Sequence, residues 1–291
     1  MAIDKLQDRI RKLKSPLALD LFAQAEHIPP QLMSGEKSFM QAYGAYCCEL
    51  LAQVKDTVAA VRLDAGMFAL YGAEGYDTLR QLSQQAHKHG LYVLLQVHEP
   101  LSKRSAESAA KLLFATDYPV YFDGIVITAY IGSDAIAPFV DFLKSARKDL
   151  FVVARTSNRS APEMQELRSG SRLAYVAKAD IVKRFADEMN SKCGYSGIGL
   201  VAAAASADCL RTLRAKYSNI FLWLDGCDYP NANAKNCSAA FDRLGHGAIA
   251  CVGLSVMAAW QERVDDADYC TAAVKAVERH KRNLLRYVTV L

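Results

Sequence analysis

Short apolar runs alternate along the chain with longer amphipathic stretches. In residues 91 to 101, LYVLLQVHEPL, five apolar or β-branched residues lead into a polar end, which is typical of a buried parallel strand. The runs predicted to be strands are 16–22, 59–65, 92–98, 124–130, 151–157, 197–203, 220–226 and 247–254. The predicted helices are 4–14, 36–56, 73–89, 103–116, 134–148, 173–193, 206–217, 234–244 and 255–286.

Strand alternating with helix predicts a parallel sheet with right-handed crossovers. Eight such units in 291 residues favour an α/β fold, a closed (β/α)8 TIM barrel, as a single domain over residues 1–291. A doubly wound open sheet is the alternative. It would favour a glycine-rich first turn, and residues 23 to 27, AQAEH, contain no glycine.

Composition limits the class of protein. The chain is 52% hydrophobic and 23% charged, with a formal charge of +4, and its basic and acidic residues are intermixed. This pattern indicates neither a nucleic-acid partner nor a membrane surface. The eight cysteines form no Cys-x-x-Cys motif, so we expect free thiols and a cytoplasmic protein. We expect no metal and no cofactor, and His87 and His89 are interpreted as surface residues.

Barrel chemistry lies at the carboxyl ends of the strands. Side chains alternate along a strand, so Gln96 and His98 are expected to face one pocket. The same parity selects Asp20, Phe22, Arg62, Asp64, Thr128, Tyr130, Arg155, Ser157, Trp223, Asp225 and the turn 253–255.

Each candidate has a functional and a structural interpretation. His98 is a general acid, or a hydrogen-bonded histidine that closes a barrel layer. Arg62 and Asp64 hold a substrate carboxylate, or they form a mutual or neighbouring ion pair that fills the barrel mouth. In another form of the ion-pair interpretation, Asp20 is the partner of Arg62.

Two turns carry polar candidates. Ser157 and Asn158 bind a planar heterocycle, or they form an ordinary turn. The amides of residues 253–255 accept an anion, or Ser255 caps the following helix.

Several segments resemble the longer bacterial subgroup of the orotidine 5'-phosphate decarboxylase family. They are PLALDLF at 16–22, AVRLDAGMFALYGAEGY at 60–76, GIVITAYIGSDAIAPF at 124–139 and TSN at 156–158. The resemblance implies a (β/α)8 barrel, a homodimer and a lyase of pyrimidine biosynthesis. It implies substrate contacts at Asp20, Thr128, Tyr130, Ser157, Asn158, Tyr229 and Leu254.

The catalytic pattern of that family is not kept. Its Asp-x-Lys-x-x-Asp motif at strand three corresponds here to Gln96, His98 and Leu101, and its strand-two lysine corresponds to Arg62. The phosphate-binding arginine is replaced by Leu254, and residues 229–231, YPN, replace a Gln-Gly-Gly segment. An arginine–phosphate contact contributes roughly 1.5 to 3 kcal/mol.

Three hypotheses follow. The first is a degenerate, dimeric barrel, a pseudoenzyme that binds a small planar or carboxylated ligand, such as a nucleotide or keto acid, or serves as a scaffold. The second is a lyase for another carboxylated or keto substrate. In it Arg62 orients the acid group, His98 donates the proton, and Asp64 and Gln96 belong to the site. The third is an active carboxy-lyase for orotidine monophosphate with a rearranged site.

Overall fold

A computed structural model of the protein describes residues 1–22, 24–35, 38–262 and 269–291. Parts of three sequence predictions therefore lie outside the described residues. They are residue 23 of the first loop, residues 36 and 37 of the predicted helix 36–56, and residues 263–268 of the predicted helix 255–286.

Eight parallel strands close into a barrel, which confirms the predicted (β/α)8 fold. In chain order they are β1 (Leu17–Asp20), β2 (Ala60–Asp64), β3 (Tyr92–Gln96), β4 (Gly124–Ile127), β5 (Asp149–Val153), β6 (Ile198–Ala203), β7 (Leu222–Asp225) and β8 (Ala248–Val252). Each strand pairs with its sequence neighbours, and β8 pairs with β1 to close the ring. The prediction of a single domain over residues 1–291 stays a prediction.

Helices connect the strands on the outside of the barrel. They are α1 (Ala2–Leu13), α2 (Phe39–Val54), α3 (Ala65–Ala69), α4 (Gly72–Lys88), α5 (Lys103–Leu113), α6 (Ser133–Ala146), α7 (Ala161–Gln165), α8 (Ala174–Ala186), α9 (Ala207–Lys216), α10 (Ala234–Cys237), α11 (Leu254–Met257) and α12 (Tyr269–Leu285). The first helix, α1, precedes β1 in the chain. It buries Ile3, Leu6 and Ile10, whose spacing places them on one face of the helix.

The observed elements differ from the predicted ones mainly at their ends. Five of the eight predicted strands stop two to four residues before their predicted carboxyl ends, because the predicted run continues into the loop after the ladder has ended. The predicted helix 234–244 is only α10 followed by a 3-10 turn, Ser238–Ala240. The elements that were not predicted include the short helices α3 and α7, two 3-10 turns, Ala25–His27 and Pro30–Met33, and a hairpin of Arg168–Ser169 with Arg172–Leu173.

Aromatic side chains occupy much of the core. The Phe151 ring packs edge-on against Trp223, with 5.8 Å between centroids, and Trp223 is fully buried. Trp223 was a strand-end candidate by parity, and its burial makes it a packing residue. Within the described residues, the search for a helix with the length and hydropathy of a membrane span finds none.

A buried carboxyl group lies at the amino end of β5. The Tyr92 hydroxyl donates to Asp149 Oδ2 at 2.9 Å, and Asp149 is 0% exposed. Burial raises the pKa of Asp149 well above its ordinary value, because a charge loses its hydration there. The folded state therefore favours the protonated acid.

We predict that Asp149→Asn changes the pH dependence of stability. The raised pKa means that the contribution of the Asp149 acid is fully present below its unfolded pKa and is lost as pH rises through its folded pKa. The free energy of unfolding of the wild type, relative to Asp149→Asn, should therefore fall as pH rises above about 4. Urea unfolding from pH 4 to 8 measures this difference. A difference that rises with pH would contradict the assignment.

Candidate functional site

One arginine lies between two carboxylates at the mouth of the barrel. Arg62 and Asp20 are in register on β2 and β1, and the guanidinium Nη2 binds Asp20 Oδ2. Its Nη1 binds Asp225 Oδ1, at the end of β7, at 2.7 Å. The three side chains are only 15%, 16% and 17% exposed. The guanidinium therefore has a carboxylate partner on each of two sides.

The charges in this cluster stabilise one another against burial. Burial alone would lower the pKa of Arg62, but the Asp20 and Asp225 carboxylates raise it well above its ordinary value. Burial raises the pKa of Asp20, against the lowering effect of Arg62, and the nearby Asp225 and Asp64 charges add to the increase. Asp20 Oδ1 is buried and has no hydrogen-bond partner in the part of the chain that the structure describes. The arginine is the charge that holds this cluster together.

Asp64 has different partners. Its Oδ2 accepts from Gln96 Nε2 at 2.7 Å, and its Oδ1 accepts from the Gly66 amide at 2.7 Å. Asp64 thus caps α3, and Asp64 and Gln96 are in register on β2 and β3. The expected ion pair takes its neighbouring form: Arg62 is paired with Asp20 and Asp225, and not with Asp64.

A cavity of about 230 Å³ opens at the mouth above this cluster. Its charged lining residues are Asp20, Arg62, Asp225 and Asp228, and Phe22, Tyr229 and Leu254 provide apolar surface. Three carboxylates against one guanidinium make the cavity electronegative. A negatively charged ligand group would be repelled there.

Asp228 occupies the backbone amides at the turn after β8. Its Oδ2 accepts from the Gly253 amide at 2.9 Å and from the Ser255 amide at 3.0 Å. These amides do bind an anion, but that anion is the Asp228 side chain. Binding of a ligand anion at this turn stays a prediction. Ser255 is not the helix cap, because Gly253 takes that position, and Ser255 Oγ contacts His280 Nε2 at 2.8 Å.

His98 lies beyond the end of its strand. The β3 ladder ends at Gln96, so strand parity no longer fixes the direction of His98, which is exposed. Its Cε1 lies near Gly66 at the rim, and among the described residues it makes no hydrogen bond, so it does not close a barrel layer. Neither Gln96 nor His98 lines the mouth cavity.

Thr128 and Tyr130 also lie outside the mouth cavity. Both are exposed beyond the end of β4. Their backbone amides donate to the Glu99 carboxylate at 2.8 and 3.1 Å. Their visible role is therefore to join the loop after β4 to the loop after β3.

Ser157 and Asn158 behave differently from one another. The Ser157 hydroxyl donates to the Asp225 carbonyl at 2.6 Å. Ser157 and Tyr229 both pack closely against Gly226, which they can do because glycine has no Cβ. Asn158 is exposed and bonds locally to Ser160 at 2.9 Å. The turn interpretation therefore fits Asn158, whereas Ser157 supports the wall of the mouth. Arg155, another parity candidate, is bound to Glu166 at 2.6 Å.

Comparison with known proteins adds a whole-chain relationship. No protein-family model matches the chain. It is 22% identical over 263 residues to orotidine 5'-phosphate decarboxylase of Clostridium novyi, and the match covers 90% of each chain. It is 23% identical over 280 residues to orotidine 5'-phosphate decarboxylase of Petrotoga mobilis, and that match covers 94% of this chain and 96% of the other. The chain is homologous to orotidine 5'-phosphate decarboxylases. The structure of Leishmania donovani OMP decarboxylase superposes with a TM-score of 0.74 at 22% identity, covering 98% and 99%, and supports the fold.

Sequence reasoning missed one charged residue that lines the mouth cavity. Asp228 lies in the loop after β7, and its carboxylate fills the turn after β8. The signal was its position three residues after Asp225, in DGCDYP, but strand parity does not extend into a loop. Among the described residues, no group of three or more His, Cys, Asp or Glu side chains is arranged to hold a metal.

We predict that Arg62→Ala destabilises the protein by about 3 to 5 kcal/mol, because two buried carboxylates lose their counter-charge. Arg62→Lys should cost less, since it keeps the charge and loses only the two-pronged geometry. The matched control is Arg80→Ala, which removes an exposed 3.3 Å pair with Asp77 and should change stability by less than about 1 kcal/mol. Urea unfolding measures all three. Equal losses for Arg62→Ala and Arg80→Ala would contradict the assigned role.

Proposed function

We propose that the protein is an orotidine 5'-phosphate decarboxylase-like barrel that does not decarboxylate orotidine monophosphate, and that it binds a small molecule or serves as a scaffold. The observation that carries the proposal is the position of Arg62. The resemblance gives active members a lysine there, whereas Arg62 is bound by Asp20 and Asp225. A cation with both sides engaged is not available to a substrate.

The residue at the proton donor's position in the resemblance lies outside the mouth cavity. The resemblance places the proton-donating lysine at His98, which is exposed and outside the cavity. A general acid must come within hydrogen-bond reach of the atom that it protonates. The motif's two acidic positions are Gln96, whose amide is committed to Asp64, and Leu101, which is 77% exposed. This arrangement supports loss of the proton-handling chemistry.

The turn after β8, where the resemblance would place the substrate phosphate, is already occupied by a carboxylate. A ligand phosphate at the turn after β8 would have to displace the Asp228 carboxylate from two amides. If it did not, two like charges about 4 Å apart would repel by about 4 kcal/mol at an effective dielectric constant of about 20. Leu254, at the arginine position, supplies no compensating charge.

Among the ligands considered from sequence, a small planar and uncharged molecule fits the mouth best. The cavity of about 230 Å³ has the Phe22 and Tyr229 rings in its lining. A carboxylated ligand, and with it the lyase hypothesis, would require Arg62 to leave Asp20 or Asp225. The geometry therefore favours the binding hypothesis over the lyase.

We predict no turnover of orotidine monophosphate by the purified protein. The assay follows loss of substrate absorbance, with the Clostridium novyi orotidine 5'-phosphate decarboxylase as a positive control. Uridine monophosphate should not bind, and it should therefore leave the melting temperature unchanged. A ligand that binds only the folded state must raise that temperature. Turnover at an enzyme-like rate that His98→Ala abolishes would overturn the proposal.

We also propose a homodimer, as the resemblance implies, with the mouth loops at its interface. Leu101 is 77% exposed and Tyr130 is 75% exposed. They lie on adjacent loops, because the Glu99 carboxylate binds the Tyr130 amide. Large apolar side chains exposed together are typical of an interaction surface.

We predict that the double variant Leu101→Asp/Tyr130→Asp is a monomer under conditions in which the wild type is a dimer. The matched control is Leu112→Asp/Leu244→Asp, which changes two other exposed leucines and should remain dimeric. Size-exclusion chromatography with multi-angle light scattering gives the mass of each. A monomeric wild type, or dissociation of the control alone, would contradict the proposal.

A further inference from the structure

The ring of helices is incomplete beside β8. The crossover from β7 to β8 contains only the one-turn helix α10 and a 3-10 turn, whereas the crossover from β6 to β7 contains the ten-residue helix α9. A helix of four residues is about 6 Å long and cannot cover a strand of five residues. A groove therefore remains between α10, the outer face of β8 and α12.

This groove forms a cavity of about 670 Å³, in the size range of small-molecule sites. Its apolar lining includes Leu17, Ala250, Val252 and Leu284, from β1, β8 and α12. The loop after β7 forms a wall, and Asp228 and Tyr229 line both this groove and the mouth cavity. The groove is thus a second cavity, outside the barrel, that shares a wall with the mouth.

The charges of the groove are unbalanced. Lys235 and Arg286 line it, and neither forms an ion pair within residues 1–22, 24–35, 38–262 and 269–291. Asp228 is the lining carboxylate, and its Oδ2 is already bound by the Gly253 and Ser255 amides. Two cations therefore lack a counter-ion from the described part of the chain.

The remaining polar groups do not add negative charge. Burial lowers the pKa of His280, so this imidazole is favoured in its neutral form beside Ser255. The side-chain amides of Asn236 and Asn283 line the groove and make no hydrogen bond to other described residues. They are available to a ligand as donors and acceptors.

We propose that the groove between α10 and α12 binds a small organic anion with an apolar body, held by Lys235 and Arg286 at its charged end. The apolar lining accommodates the body by removing it from water, and the two cations fix the carboxylate or phosphate group. This site is separate from the mouth and does not depend on whether the mouth is catalytic.

Isothermal titration of the full-length protein tests the proposal with five probes. Phenyl phosphate and phenylacetate carry both an apolar body and an anion, and they distinguish a phosphate from a carboxylate head group. Inorganic phosphate and acetate carry the anion alone, and benzyl alcohol carries the body alone. We expect saturable binding of at least one phenyl anion, at least tenfold tighter than that of the three partial probes. Equal binding of inorganic phosphate, or no saturable binding of either phenyl anion, would overturn the proposal.

Variants then locate the binding. Lys235→Ala/Arg286→Ala should weaken the phenyl anion at least tenfold, and because both residues are exposed, circular dichroism should show an unchanged fold. The matched control Arg104→Ala/Lys111→Ala removes the same charge from exposed positions of α5, and should change the dissociation constant less than twofold. Equal weakening by both pairs would show general charge attraction and would overturn the site.

Discussion

Closing eight parallel strands into a barrel brings the side chains at their carboxyl ends into one small space. Water has limited access there, so a charged side chain is costly unless it is paired with an opposite charge or hydrogen-bonded. In this chain the space contains Asp20, Arg62 and Asp225 from β1, β2 and β7. Arg62 meets both carboxylates, and its removal would leave two like charges together. The mouth is therefore organised by a cation that is committed to the fold.

The limited access of water at the mouth also explains why it matters that residue 62 is an arginine and not a lysine. A lysine has a compact charge on a flexible stem and changes its pKa readily, which suits proton transfer. An arginine remains charged and binds two acids at once, and here the neighbouring carboxylates raise the pKa of Arg62 further. Arginine at the strand-two position thus favours a permanent ion-pair cluster. The Asp228 contact with the Gly253 and Ser255 amides has a similar effect at the anion side of the mouth.

Sequence pattern was sufficient for the fold because each strand is an apolar run bounded by longer helical segments. Strand parity also placed Asp20, Arg62 and Asp225 among the residues that could converge at the mouth, and it applies to them because all three lie within the ladder. It failed for His98, Thr128 and Tyr130, which lie after their strands have ended. Beyond the last ladder residue, the direction of a side chain depends on loop geometry. Asp228 was missed for the same reason, since its partners are backbone amides of a loop that is distant in sequence.

The two cavities follow from one property of the last crossovers. The loop after β7 is long enough to turn Asp228 toward β8, and the helix that follows it is too short to cover β8 from outside. Asp228, which keeps a ligand anion from the amides of the turn after β8, therefore belongs to the same segment that leaves the outer groove open. Asp228 and Tyr229 form the wall between the two cavities. Because the two cavities share this wall, a ligand in the outer groove would contact the loop that carries Asp228. The cavities are therefore neighbours in the structure, although the mouth is lined mainly by carboxylates and the groove by two cations.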